Sequence, residues 1–118
     1  MEAILVVDDD DTVRMLVREM LEQHGYNVAT VGTALGALEL VDDGSRFDLV
    51  LVDLNLLGSS GYDLAGTLRE RLPDVRVVYM SGFSADGMPR LAFGSAFLQK
   101  PFSSQDLLMT IRLVLATS

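Results

Sequence analysis

Ile4-Leu5-Val6-Val7-Asp8-Asp9-Asp10-Asp11 decides the fold: an unbroken apolar run, rich in β-branched residues, delivers the chain into a row of carboxylates. A run this short has the length of a strand. Its lack of polar alternation suits a strand covered on both faces, as in a parallel sheet flanked by helices. Leu49-Val50-Leu51-Val52-Asp53 repeats the pattern, apolar throughout and closed by a carboxylate. Working outward from these two gives predicted strands at Ala3–Val7, Asn27–Val31, Leu49–Asp53, Arg76–Met80 and Phe97–Gln99.

Helical spacing fills the gaps between them. Val13, Leu16, Val17, Met20 and Leu21 fall on one stripe of a helix over Thr12–His24, with Asp10 or Asp11 as its cap and Gly25 as its stop. A second helix is predicted over Ala34–Val41 with Thr33 as cap, and a third over Tyr62–Leu72, ended by Pro73. The last spans Ser104–Ala116, where Ser103 and Asp106 have capping-box spacing. Ser84–Gly94 holds Gly87 and Pro89, so a fourth helix in this region is expected to be short or irregular. Strands alternating with helices predict an α/β fold, a parallel sheet with helices on both faces and right-handed crossovers.

Composition narrows the function. At 118 residues the chain fits one domain, expected to span residues 1–118, and a 49% hydrophobic content is enough for a core. No cysteine is present, which excludes disulfides, thiolate metal sites and a cysteine nucleophile. The longest apolar run, Ala3–Val7, is far too short to cross a bilayer, and nothing at Met1-Glu2 reads as a secretory signal. A net charge of −8 repels phosphate backbones and anionic lipid, so no direct nucleic-acid partner and no membrane partner are expected. These features together lead us to expect a cytoplasmic protein.

In such sheets the working site lies beyond the carboxyl ends of the strands. There the sequence places Asp8 and Asp9, then Asp53 followed by Leu54-Asn55, then Ser81-Gly82, then Lys100-Pro101. Converging carboxylates repel one another unless a cation sits among them. The donors are all oxygens, which favours a hard cation, and Mg²⁺ suits a site with few protein carboxylates because it keeps waters and shares its sphere with a phosphate. With its charge screened, the Asp53 carboxylate could attack phosphorus, while Lys100 and Ser81 hold phosphoryl oxygens. The chemistry implied is phosphoryl transfer to an aspartate.

With these residues in place the chain resembles the response-regulator receiver domain of two-component signalling over essentially its whole length. The markers are the acidic pair Asp8-Asp9, Asp53 closing its strand, Ser81 before Gly82, and Lys100-Pro101. Each is weak alone, and the ordered set is specific. Tyr79-Met80-Ser81-Gly82 and Phe97-Leu98-Gln99-Lys100-Pro101-Phe102 look most like receivers attached to hybrid histidine kinases. The resemblance implies a flavodoxin-like, five-stranded parallel sheet in the order 2-1-3-4-5 and a cis Lys100-Pro101 bond. It implies Asp53 as phosphoacceptor and Mg²⁺ held by Asp8, Asp9, Asp53 and the Asn55 backbone carbonyl. Ser81 and Lys100 would contact the phosphoryl group, Ser81 and Phe97 would act as the switch, and Asn55 and Phe83 would modulate dephosphorylation. The donor would be a histidine kinase or histidine phosphotransfer domain. Output is expected through a downstream protein target or the domains of a parent chain.

Three features depart from the family pattern. Leu56-Leu57-Gly58 stands where Met-Pro-Gly is common, the stretch between Ser81 and Lys100 is short, and Phe97 occupies a position often held by tyrosine. Two other readings compete. A binding-only receiver would keep the fold without phosphotransfer. An aspartate-nucleophile phosphohydrolase would need a second aspartate two residues after the first, where this chain has Asn55. His24 reads as a surface residue favourable to the helix dipole, and the six methionines as packing.

Overall fold

The runs without polar alternation become strands buried on both faces. The computed structural model describes residues 2–82 and 95–116. In chain order the elements are β1 (Ala3–Val7), α1 (Asp11–Glu22), β2 (Asn27–Val31), α2 (Ala34–Asp42) and β3 (Leu49–Asp53). There follow β4 (Asn55–Leu56), β5 (Ser59–Ser60), α3 (Gly61–Arg71), β6 (Arg76–Ser81), β7 (Ser95–Gln99) and α4 (Ser104–Ala116). Among the described residues, five strands form one parallel sheet in the order β2-β1-β3-β6-β7. This is the expected 2-1-3-4-5 order once the small β4–β5 pair is set aside.

Alternate residues of each central strand feed different layers. Leu5, Val7, Val50, Val52, Val77 and Tyr79 pack with Ala37 and Val41 of α2 and with Leu64, Ala65 and Leu68 of α3. Ile4, Val6, Leu49, Leu51, Val78 and Met80 pack with Val17 and Leu21 of α1 and with Leu107, Ile111 and Val114 of α4. Both layers are apolar, so neither strand face needs polar residues.

The helix ends follow the polar residues beside them. The Asp10 carboxylate accepts from the N–H groups of Thr12 (2.9 Å) and Val13 (3.3 Å), which settles the cap of α1. Thr33 accepts from Gly36 N–H at 2.9 Å and Ser103 from Asp106 N–H at 3.0 Å. After α1, Gly25 N–H donates to the Glu22 carbonyl and Tyr26 N–H to the Leu21 carbonyl, with Gly25 at φ +89°, a left-handed stop only glycine adopts cheaply.

The ends of α1, α2 and α3 shift by one or two residues from the sequence reading, as do two strand ends. Ser81 extends β6 and Ser95-Ala96 extend β7, because Val77, Val78 and Ser81 pair there with Ser95, Ala96 and Gln99. The loop after β3, where Leu57 stands in place of the common proline, closes as an antiparallel ladder of Asn55 with Ser60 and Leu56 with Ser59. Gly58, at φ +73°, makes that turn. Phe83 and the fourth-helix stretch Ser84–Gly94 lie outside the described residues. No described helix is long and apolar enough to cross a membrane.

Candidate functional site

Sheet register brings the polar strand ends to one edge. Val7 lies opposite Val52, Val52 opposite Tyr79, and Tyr79 opposite Phe97. Asp8, Asp53, Ser81 and Lys100 therefore leave the sheet on a common side.

Asp8 and Asp53 are held in the same way. Asp8 Oδ1 accepts from Asp10 N–H at 2.9 Å, and Asp53 Oδ1 accepts from Asn55 N–H at 2.9 Å. Each carboxylate thus bonds the backbone two residues on, and turns its second oxygen inward. Lys100 Nζ reaches both second oxygens, 2.7 Å from Asp8 Oδ2 and 2.9 Å from Asp53 Oδ2. The Lys100 backbone N–H donates to the Ser81 carbonyl at 2.7 Å, and the Lys100-Pro101 bond is cis. Asp9 is more exposed, yet Asp8, Asp9 and Asp53 each offer an oxygen within 4.8 Å of the others.

Ser81 is buried at the end of β6, one residue beyond Met80, the register partner of Asp53. Phe97 is half-buried against the layer that α2 and α3 cover. Asn55 sits at the start of the β4–β5 hairpin with its side chain exposed. The structure thus gathers Asp8, Asp9, Asp53 and Lys100, and sets Ser81 and Asn55 beside Asp53 in the chain or the sheet.

Two carboxylates, Asp8 and Asp53, share one ammonium, with Asp9 near both, and the proton equilibria follow. Burial is the largest influence on Asp8 and lifts its carboxyl above the ordinary 3.8; bonds from Lys100 and Asp10 N–H offset only part of this, and the Asp53 charge adds to it. Burial alone would lower the Lys100 ammonium, but its hydrogen bonds to Asp8 and Asp53 and their charges hold it above the ordinary 10.5. A raised lysine contributes stability that is complete below its unfolded value and is lost as pH rises through the folded one. Lys100→Met should therefore cost about 2 kcal/mol at pH 7 in metal-free buffer, since two buried carboxylates lose their cation. Chemical denaturation should show this gap constant from pH 7 to 9 and shrinking above pH 10.5. A Lys100→Met chain as stable as the wild type would mean that the bridge contributes nothing.

The arrangement suits a hard divalent cation. Every donor is an oxygen, the cluster carries excess negative charge, and few protein ligands leave room for water and a phosphoryl oxygen.

Two residues have roles at the site that the sequence did not signal, Gly61 having read only as a source of turn flexibility. Arg14 Nη1 donates to the Asp8 carbonyl at 2.5 Å while Nη2 pairs with Asp11. Asp11 and Arg14 have the spacing of a helical ion pair, but nothing in that spacing reveals the reach back to Asp8. Gly61 lies directly against the Asp53 carbonyl, so close that no side chain fits.

Comparison with known proteins agrees with this geometry. Residues 4–112 match the response regulator receiver domain. The chain is 33% identical over 113 residues to sensor kinase CckA of Brucella abortus, covering 92% of this chain and 12% of that protein. It is 34% identical over 120 residues to the transcriptional regulatory protein CpxR of Escherichia coli, covering 100% of this chain and 51% of that protein. The chain thus spans about half of one curated relative and a small part of the other. Among solved structures, response regulator TrrA of Thermotoga maritima in complex with Mg²⁺-BeF superimposes with a TM-score of 0.84 at 28% identity, over 97% of this chain and 99% of that one. Chemotaxis response regulator CheY4 of Vibrio cholerae gives 0.86 at 27% identity, over 97% and 98%. The chain belongs to the response regulator receiver domain family, the phosphoacceptor switches of two-component signalling.

Proposed function

We propose that Asp53 is the residue phosphorylated, within a single receiver domain spanning residues 1–118. The observation that carries this is the Lys100 ammonium bridging the inward oxygens of Asp8 and Asp53, with Asp9 within reach of both. Mg²⁺ would be held by Asp8, Asp9, Asp53 and the carbonyl of Asn55. Bound there, it supplies charge neutralisation among the carboxylates and polarises a phosphoryl oxygen.

This chain's residues do the rest. One Asp53 carboxylate oxygen attacks the phosphorus of a phosphohistidine on a histidine kinase or histidine phosphotransfer domain. The P–N bond breaks, its electron pair returns to the imidazole, and an acyl phosphate remains on Asp53. Lys100 moves from two carboxylates to a phosphoryl oxygen, and Ser81 donates a hydrogen bond to another. Water later attacks phosphorus, restoring the carboxylate and releasing phosphate, so the chemistry is self-directed. Drawing Ser81 inward frees space for Phe97 and biases the surface that downstream proteins or parent-chain domains read.

The test is incubation with Mg²⁺ and a small acyl phosphate, followed by intact mass and mapping of the modified residue. One added phosphoryl group at Asp53, absent when EDTA replaces Mg²⁺, is the expected outcome. No addition from either the acyl phosphate or a phosphorylated histidine phosphotransfer partner would reduce the protein to a binding-only receiver.

A further inference from the structure

We propose that Arg14 is a positioning residue for the cation site, holding the Asp8–Asp9 peptide in place from a seat that Gly32 leaves open. The inference rests on the Mg²⁺ reading above. Arg14 stands on α1, with its side chain only 20% exposed. Its guanidinium is a rigid fork, and the two prongs go to the Asp8 carbonyl and the Asp11 carboxylate.

Every other polar group of Asp8 is already fixed. Its N–H donates to the Val31 carbonyl at 3.2 Å, Oδ1 accepts from Asp10 N–H, and Oδ2 accepts from Lys100. The Asp8 carbonyl belongs to the peptide leading into Asp9, so fixing it fixes the plane from which the Asp9 carboxylate departs. Asp9 is the most exposed of the three carboxylates and has the most freedom to lose.

Gly32 provides the second, independent observation. A Cβ built on it would lie 2.9 Å from Arg14 Nη1 and 3.4 Å from Cζ. Gly32 is not among the glycines with positive φ, so what its lack of a side chain gives the fold is space. The loops after β1 and β2 thereby meet at one guanidinium.

Charge and positioning predict opposite signs. A cation beside the site repels Mg²⁺, so removing Arg14's charge alone would tighten Mg²⁺ binding. Releasing the Asp8–Asp9 peptide would weaken it, by about tenfold if Arg14 behaves like other groups that orient metal ligands.

Calorimetric titration of the full chain with Mg²⁺ alone decides the matter. Arg14→Gln should raise Kd about tenfold with circular dichroism unchanged, and phosphoryl uptake should be slow at limiting Mg²⁺ but recover at saturating Mg²⁺. Gly32→Ala should raise Kd about threefold by pushing the guanidinium from its seat. It should add nothing in the Arg14→Gln background, where no guanidinium remains to displace. An unchanged or lowered Kd in Arg14→Gln overturns the inference, as does a full additive effect in the double variant. Should Arg14→Gln fail to fold, an unchanged Kd in Gly32→Ala overturns it instead. A wild-type chain that binds no Mg²⁺ removes the metal reading and this inference together, whereas wild-type binding with an unaffected Arg14→Gln removes this inference alone.

Discussion

Asp53→Asn should abolish phosphoryl uptake and, in metal-free buffer, raise the melting temperature by about 4 °C. The loss of uptake follows from chemistry, because an amide oxygen is too weak a nucleophile to form the acyl phosphate. The gain in stability follows from charge. Asp8, Asp9 and Asp53 lie close together, with one Lys100 ammonium bridging Asp8 and Asp53, and Asp8 is already held above its ordinary value by burial with a contribution from Asp53. Removing one carboxylate leaves the Lys100–Asp8 bridge at 2.7 Å intact and relieves the repulsion. The Asn side chain has nearly the same shape, and its oxygen can still accept from Asn55 N–H, a bond now made at 2.9 Å. A gain of about 1 kcal/mol is the scale such relief supplies.

Magnesium should reverse the order. A ligand that binds only the folded state stabilises it by mass action, and the wild type offers one more carboxylate than the variant. Melting curves recorded at rising Mg²⁺ should therefore converge and then cross. A lower metal-free melting temperature in Asp53→Asn would mean that the Lys100–Asp53 bridge outweighs the repulsion. Residual uptake in this variant would move the phosphoacceptor elsewhere.

The same crowding explains how much of the site was legible in the sequence. Asp8 and Asp53 each follow an apolar run directly and Lys100 follows the short strand Phe97-Leu98-Gln99, so a parallel sheet had to bring them to one edge, and their residue types then named the chemistry. The strands were legible where both faces are apolar, as in Leu49–Asp53. They were not where pairing is imposed by a neighbour: Ser95 and Ala96 carry no strand signal and extend β7 because Val77 and Val78 lie beside them. The β4–β5 hairpin escaped notice because two-residue strands are too short for any periodicity. Arg14 escaped because its partner is a backbone carbonyl, which every residue possesses and no sequence advertises.

Gly61 belongs with these, and its substitution should have the largest effect on stability. A Cβ at this position would overlap the Asp53 carbonyl oxygen and lie 2.8 Å from its carbon and 3.0 Å from Leu54 Cα. All three are backbone atoms, so no side chain can swing aside. The clash also falls where Gly61 N–H donates to the Leu54 carbonyl at 3.0 Å, a bond that ties the first residue of α3 to the end of β3. Gly61→Ala must therefore either lift α3 or displace Asp53, and about 3 kcal/mol of stability should be lost in chemical denaturation. A shift of about 1 Å in Asp53 should slow phosphoryl uptake roughly a hundredfold in the molecules that remain folded. Gly66 in the same helix supplies the contrast, since a Cβ there meets nothing within 4 Å. Gly66→Ala should gain roughly 0.5–1 kcal/mol from helix propensity and leave uptake unaltered. Two identical substitutions five residues apart should thus move stability in opposite directions. If both proved stabilising, the close approach of Gly61 to Asp53 would have no part in holding the site.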